Sequence, residues 1–372
     1  MVKAAQQKRG ENKPLYQLSN LLLDTMSHNT AGSTDNTQDG DNENQFPERR
    51  HQQTELTRLL NQSKASHVYL YGPRGSGKTA ITTHLLENQF SSADTVYISC
   101  LDADSQYKAL TQLCAYTAGD EPKAGLHTSE LKLTFEQHID SERPTIVVLD
   151  EIDFLLANDG DDLLYYLSRI DLDTPVNTVC ISANHEELTA VVDDRTYSSL
   201  HPEHIHFPPY TTDQLATLLH RHFDTTTDNA LLTPQAIDLL GSHTANARFA
   251  VIWLRQALKQ TTATVSLDSL DAVRSEAVER YRDRMLQDFT PHHHLLLEAL
   301  HHQVSHPDDS VFAGAVYDCY EDLCTSINRD PLTRRRLGDY LTHLELLGLI
   351  SAQRHRGGSK GKTRELSLVA SF

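Results

Sequence analysis

Long apolar runs are missing from this chain of 372 residues. No stretch approaches the ~20 consecutive apolar residues needed to span a bilayer. Near the N-terminus Lys3, Lys8 and Arg9 precede one apolar cluster, Leu21–Leu23, which is too short for the core of a secretory signal. The expectation is a cytoplasmic protein with no membrane partner. Cysteine is also scarce. Cys100, Cys114, Cys180, Cys319 and Cys324 are scattered, odd in number and without metal-ligand spacing, so they read as reduced thiols rather than a disulfide framework or zinc site. None of the 21 histidines falls in an H-E-x-x-H pattern. The run His292–His294 reads as a solvated helix start, because three adjacent side chains splay around a helix. Hydrophobic residues make up only 38%, so part of the chain is expected to be polar and unfolded.

Acid is what the sequence has in excess. Lys plus Arg number 33 against 51 Asp plus Glu, a formal net charge of −18. Spread evenly, that balance would repel a phosphate polymer and argue against a nucleic-acid partner. It also suits a halophile's proteome, in which carboxylates hold hydration and counterions. Eleven lysines against 22 arginines, with abundant Asp and Thr, lean the same way. Which implication holds depends on where the charge sits.

Length allows two or three domains at roughly 100–200 residues each. Residues 27–45 contain no Val, Ile, Leu or aromatic side chain and cannot offset their ordering entropy, so they are expected to be disordered. From Phe46-Pro47 to about Tyr210, β-rich runs alternate with helical patterns. The runs are HVYLY (67–71), TVYIS (95–99), TIVVL (145–149), TVCIS (178–182) and HIHF (204–207). That alternation predicts an α/β fold with a parallel sheet between helices. From Thr211 to about Asp288 the spacing of Leu215, Leu218, Leu219, Val251, Leu254 and Leu258 is helical. No internal repeat is apparent.

Between the first β-rich run and a helical pattern lies Gly72-Pro73-Arg74-Gly75-Ser76-Gly77-Lys78-Thr79, followed by Ala80. This is G-x4-G-K-T, a phosphate-binding loop. Its glycines let backbone N–H groups curl around a β-phosphate, Lys78 reaches the β- and γ-phosphates, and the Thr79 hydroxyl ligates Mg²⁺. ATP or ADP with Mg²⁺ is therefore the expected cofactor. The third run continues into Asp150-Glu151, which places both acids at the carboxyl edge of the sheet, where the phosphates of such a site lie. Asp150 is the expected second metal-binding group, and Glu151 the group that polarises the attacking water. The fourth run ends in Ser182-Ala183-Asn184. Asn184 either orients the lytic water or closes a turn.

The last 42 residues carry the opposite charge from the rest. Eight cations face Asp339, Glu345 and Glu365 there, so residues 331–372 hold +5 and the preceding 330 hold −23. Thr333-Arg334-Arg335-Arg336 opens a helix whose Leu337, Leu341, Leu344 and Leu347 form one apolar face. Gly348 ends it. Two short apolar runs then flank a Gly-rich turn bearing Arg354, Arg356, Lys360, Lys362 and Arg364. Helix, helix, strand, basic turn and strand make a winged helix. Its recognition helix enters the major groove while the wing grips phosphate or the minor groove.

The order of phosphate loop, acidic strand end and polar strand end resembles the AAA+ ATPases. Within them the chain resembles the archaeal initiators related to origin recognition complex subunit one and cell division control protein six. Pro47-Glu48-Arg49-Arg50 resembles that family's segment over the adenine. Asp150-Glu151-Ile152-Asp153 with 163–169 (LLYYLSR) resembles the Walker B strand end and the helix after it. Phe207-Pro208-Pro209-Tyr210-Thr211 resembles the bridge from base to lid, with Tyr210 at the nucleotide. The resemblance implies a polar tail (1–46), an AAA+ base (47–210), an all-α lid (211–288) and a winged helix (289–372). It makes Arg248 the lid's second sensor, although Ala245-Asn246 stands where the family usually has Gly-Asp. Arg195, in Asp194-Arg195-Thr196-Tyr197-Ser198-Ser199-Leu200, becomes either a finger toward a neighbouring subunit's nucleotide or a structural salt-bridge partner. The implied function is an origin-binding replication initiator with slow, regulatory ATP hydrolysis. Its implied partners are double-stranded origin DNA, the replicative helicase and further copies of itself. The alternative is a winged-helix P-loop NTPase regulating transcription or defence. A base-domain DNA contact would have to lie within 154–170, which is short and acidic.

Overall fold

A computed structural model describes residues 46–140, 142–224, 231–260, 264–304, 306, 309–355 and 363–369. The polar segment 27–45 and the tip of the basic hairpin lie outside the described residues. The chain forms two compact units, Met1–Asp228 and Asn229–Phe372.

In the first unit a 3-10 turn, Pro47–Arg49, leads into α1 (Arg50–Leu60). Five strands follow, interleaved with helices: β1 (His67–Tyr71), α2 (Lys78–Gln89), β2 (Asp94–Ser99), α3 (Gln106–Ala118), α4 (Thr128–His138), β3 (Thr145–Asp150), α5 (Asp153–Asn158), α6 (Asp162–Leu167), β4 (Val176–Ser182), α7 (Asp194–Leu200), β5 (Glu203–His206) and α8 (Thr212–Asp224). The strands make one sheet in the order β2-β3-β4-β1-β5, parallel at every pairing. Both inner strands, β3 and β4, are buried at every position. A strand covered on two faces needs apolar side chains on both, which is why Ile146–Leu149 reads as an unbroken apolar run instead of alternating. On one face Val68, Leu70, Ile205 and Phe207 pack with Leu56, Leu59 and Leu60 of α1. All five expected strands are present, each within two residues of the expected bounds. The stretch 154–170 folds as the two short helices α5 and α6, with Phe154, Leu155, Leu163, Leu164 and Leu167 buried.

In the second unit β6 (Leu231–Leu232) and β7 (Thr264–Val265) form a short parallel pair beside α9 (Pro234–His243), α10 (Ala247–Gln260) and α11 (Leu267–Leu286). Trp253 anchors this helical part: it is fully buried and its Nε1 donates to the Leu270 carbonyl at 2.8 Å. The chain continues through α12 (Pro291–Gln303), β8 (Ser310–Phe312), α13 (Ala313–Ser326), α14 (Arg334–Leu346), β9 (Ile350–His355) and β10 (Thr363–Leu368). The last three strands form an antiparallel sheet in the order β8-β10-β9. This is a winged helix; β8 was not announced by the sequence pattern, and neither was the short β6–β7 pair, which departs from the all-α expectation for 211–288. Leu337, Leu341 and Leu344 are buried as their spacing implies, and Gly348 takes φ +71°, the left-handed turn that ends α14.

Two details bear on the scarce residues. Cys100, Cys114, Cys180 and Cys324 are buried and none of the five thiols is bonded to another; burial pushes Cys180 up to about 12. The histidine run corrects the solvated-helix expectation at one position. His293 is buried against α14, stacked on Tyr340 with ring centres 3.8 Å apart, because the second helical position after Pro291 faces the core rather than solvent. Among the described residues no helix is long and apolar enough to cross a membrane.

Candidate functional site

The phosphate loop occupies the turn from β1 to α2. Gly72, Gly75 and Gly77 have φ of +141°, +76° and +96°, a backbone region that L side chains rarely adopt. Space is as restrictive as the torsions. A Cβ on Gly72 would lie 2.1 Å from the Phe207 carbonyl oxygen, and one on Gly77 would lie 2.8 Å from the Tyr210 hydroxyl. Bridge residues 207–210 therefore press directly on the loop. Lys78, the first residue of α2, is nearly buried and donates to the carbonyls of Gly72 (2.7 Å) and Pro73 (2.9 Å) and to Ser76 Oγ (3.3 Å). Burial lowers its ammonium to about 8, with Asp150 acting in the opposite sense. Ala80 follows within α2 and packs against the core.

Because β4 lies between β1 and β3 in the sheet, the acid at the end of β3 is two strands away from the loop. The first turn of α2 spans that gap: Thr79 Oγ1 donates to Asp150 Oδ2 at 2.8 Å. Tyr97 of β2 donates to the same oxygen, and the Glu151 N–H donates to Asp150 Oδ1 at 2.9 Å. Burial, then the neighbouring Glu151, raises the Asp150 carboxyl. Glu151 stands at φ +53° and pairs with Arg74 of the loop. Its second oxygen, Oε2, is buried without a partner among the described residues.

These observations test the expected cofactor. Three glycines at positive φ, two of them with no room for a Cβ, and an ammonium at a helix N-terminus fit the phosphates of a nucleoside di- or triphosphate, while the orphaned Glu151 oxygen is an acceptor suited to a water beside them. A hydroxyl and a carboxylate already in contact are hard oxygen donors of the kind Mg²⁺ takes.

Asn184 is exposed at the end of β4. Its backbone N–H donates to Ser182 Oγ at 3.4 Å. Arg195 lies on α7 with its side chain 62% exposed, 3.8 Å from Asp162 and 4.2 Å above the Tyr165 ring. Arg248 belongs to the second unit and is exposed in the first turn of α10. The unusual Asn246 before it caps the helix: its Oδ1 accepts from the Phe249 N–H at 3.1 Å, while its Nδ2 donates to the Tyr281 hydroxyl at 2.7 Å. An asparagine performs the capping that an aspartate would.

At the basic end, Thr333 caps α14 by accepting from the Arg336 N–H. Arg334, Arg335 and Arg336 are exposed in its first turn. Arg334 is engaged within the protein, donating to Asp318 of α13 at 2.6 Å. Arg354 and Arg364 stand directly opposite each other on β9 and β10. Arg364 leans onto α14, donating to the Gly338 carbonyl (3.1 Å) and Thr342 Oγ1 (3.2 Å). Arg356, Lys360 and Lys362 lie outside the described residues.

Sequence reasoning did not single out two residues as part of the site. Asp153 is fully buried and accepts from Ser182 Oγ (2.7 Å) and the Ala183 N–H (2.9 Å), which fixes the turn that carries Asn184. Arg49 is 1% exposed and contacts the phosphate loop. Both occur inside motifs already noted, but a charged residue in a polar stretch gives no sign that it is buried.

The fold agrees with comparisons to known proteins. A family model described as an AAA domain matches residues 60–187, and one described as the CDC6 C-terminal winged helix domain matches residues 284–371. The ORC1-type DNA replication protein 1 of Sulfolobus acidocaldarius is 30% identical over 333 residues, 85% of this chain and 83% of that protein. Its counterpart in Sulfurisphaera tokodaii is 31% identical over 330 residues, 84% and 83% of the two chains. The structure of the Aeropyrum pernix ORC1 protein in complex with DNA superposes with a TM-score of 0.66 at 26% identity, covering 86% of this chain and 88% of that one. The class defined by fold and site is thus an AAA ATPase base joined to a winged helix. Within that class, the chain belongs to the ORC1-type DNA replication protein family.

Proposed function

We propose that the chain is an ATP-dependent DNA replication initiator, cytoplasmic and from a halophilic archaeon. It is built as a polar tail (1–46), a nucleotide-binding base (47–210), a helical lid (211–288) and an origin-binding winged helix (289–372). The observation that carries the reading is the pairing, in one chain, of two sites. One is a glycine loop whose Thr79 lies 2.8 Å from Asp150; the other is a winged helix whose α14 opens with three exposed arginines.

In the base, backbone N–H groups of residues 72–79 and the Lys78 ammonium bind the phosphates of ATP. Thr79 and Asp150 would hold Mg²⁺, which screens the charge developing between the β- and γ-phosphates. Glu151 accepts a proton from the attacking water, and Asn184 orients that water from the end of β4. The Arg74 pair restrains Glu151, which favours slow, regulatory turnover. Arg248 reports nucleotide state to the lid. At the other end Thr333 and the α14 arginines, with Arg354, Arg356, Lys360, Lys362 and Arg364, supply cations for DNA phosphates and base edges. Recruitment of the replicative helicase and association of copies on DNA, with Arg195 facing a neighbour's nucleotide, complete the role. The acidic balance of −18 supports high-salt adaptation; a thermal melt in low against molar KCl checks this, and greater stability at low salt rejects it.

Footprinting on fragments of the host replicon tests the function. Protection of inverted repeats beside an AT-rich region is the expected result. Protection at promoters instead would make the chain a regulator and overturn the proposal.

A further inference from the structure

A buried guanidinium normally has a carboxylate. Arg49 is 1% exposed, and its partners among the described residues are neutral. Its Nε donates to the carbonyl of Ser76 in the phosphate loop at 3.1 Å, and its Nη2 donates to the carbonyl of Pro208 in the bridge at 2.6 Å. The guanidinium also rests 4.0 Å from the centre of the Tyr210 ring. These groups come from three places in the chain, with Ser76 27 residues and Pro208 159 residues from Arg49. Burying a cation is costly unless every donor is used. Three neutral contacts give less compensation than an ion pair, so the arrangement is a poor choice for stability alone.

What it achieves is orientation. The peptide between Ser76 and Gly77 is planar and trans, so its C=O and N–H point in opposite directions. A guanidinium that pins the Ser76 carbonyl therefore turns the Gly77 N–H to the other side of the loop, which in a loop of this motif is the phosphate side. Gly77 accommodates this with φ +96°, and the Tyr210 hydroxyl closes the space where a side chain would sit. The same guanidinium also holds the bridge at Pro208, and the preceding Glu48 pairs with Arg221 of α8 at 3.0 Å. Loop, bridge and the helix beyond the bridge are thereby fastened to two consecutive residues.

We infer that Arg49 is a positioning residue for nucleotide binding. It presets the Ser76–Gly77 peptide so that the loop meets a nucleoside triphosphate without rearranging, and it ties that peptide to the bridge. The inference rests on the phosphate loop binding ATP, as proposed above.

The test uses the full-length chain with Arg49→Lys and Arg49→Met, titrated with a fluorescent ATP analogue and with ATP as competitor, alongside Lys78→Ala. Circular dichroism sets a temperature at which each variant is folded. Lysine keeps the charge but cannot donate to two carbonyls from a planar fork while stacking on a ring. Loss of one charge-assisted hydrogen bond that acts only through loop geometry should weaken ATP binding about tenfold in Arg49→Met, with Arg49→Lys in between. The rise in melting temperature on adding ATP should shrink in the same order. Should Arg49→Met fail to fold, Arg49→Lys alone decides. Folded variants that bind ATP within about twofold of the wild type, whatever their melting temperatures, would reduce Arg49 to a packing residue. No binding by the wild-type chain would instead remove the ATP reading and this inference together.

Discussion

Arg74 of the phosphate loop forms an ion pair with Glu151, the residue immediately after β3. Glu151 holds a left-handed backbone at φ +53°, and its second carboxylate oxygen is buried without a partner among the described residues. A water-polarising carboxylate in this state must release a cation before it takes a proton. Both side chains are about one-fifth exposed, so the pair is worth only ~1 kcal/mol after solvent screening. Arg74→Ala is therefore expected to raise the single-turnover rate of ATP hydrolysis by about fivefold, while Glu151→Gln abolishes it. A fall in rate at unchanged ATP affinity would mean that Arg74 assists Glu151 rather than restraining it.

Lys78 gives nucleotide binding a pH dependence with a definite sign. Burial holds its ammonium at about 8 in the folded chain, against 10.5 in an unfolded one. Above about 8 the folded protein loses the charge that meets the phosphates. ATP affinity should accordingly fall between pH 7 and 9, and ATP binding near pH 8 should take up protons. Calorimetry in buffers of different ionisation enthalpy measures that uptake directly. Folding stability of the unliganded chain moves the other way. The unfolded state holds more protons between about 8 and 10.5, so this group's contribution is fully present above 10.5 and is lost as pH falls through about 8. Proton release on ATP binding at pH 8 would contradict the assignment.

His293 sets an acid limit on the winged helix. Its ring stacks on Tyr340, approaches His343 Nδ1 at 3.2 Å and shares a hydrogen bond with Thr290 Oγ1 at 3.0 Å. Burial, with His343 and His294 adding to it, lowers it from 6.5 to about 3. A lowered folded value means stability present above 6.5 and progressively lost as pH falls toward about 3, because the unfolded chain takes the proton first. His293→Phe keeps the stack and removes the proton site. Denaturant melts from pH 7 to 4 should show a shallower loss of stability for this variant than for the wild type. Parallel curves would place the acid sensitivity elsewhere.

Legibility from sequence followed how local each feature's cause is. Strand β3 could be placed because a doubly covered strand must be apolar on both faces, and Ile146–Leu149 shows it without context. The phosphate loop was legible because Gly72, Gly75 and Gly77 each answer a torsional need within eight residues. Arg49 and Asp153 were not legible as site residues: their partners lie 159 and up to 30 residues away, and only the folded sheet brings them together. The departure at Asn246 looked like a weakened motif, yet its side chain makes the cap at α10. Hydrogen-bond geometry, not residue identity, was the requirement there. Strand β8 gave no signal because three residues pairing with β10 are too few for any period to show.

The arginines of the winged helix should not contribute equally to DNA binding, although the sequence presents them as one cluster. Arg334 already donates to Asp318, and must leave that carboxylate to meet a phosphate. Arg364 is engaged with the Gly338 carbonyl and Thr342, and it faces Arg354 across β9 and β10, a like-charge pairing that disfavours the sheet until an anion approaches. Arg335 and Arg336 are exposed in the first turn of α14, where the helix N-terminus adds its own attraction for phosphate. Arg335→Ala and Arg336→Ala should each lower duplex affinity and reduce the slope of log affinity against log salt by about one phosphate contact. Arg334→Ala should cost less, and Asp318→Ala should tighten binding by removing one of the two carboxylates that hold Arg334, Glu321 being the other. Arg364→Ala should lower the melting temperature as well as the affinity, because it cuts the tie from β10 to α14. Fluorescence anisotropy on origin duplex at several salt concentrations, with a melt for each variant, separates these outcomes. Equal salt slopes for all four arginine variants would show that the cluster acts only as diffuse charge.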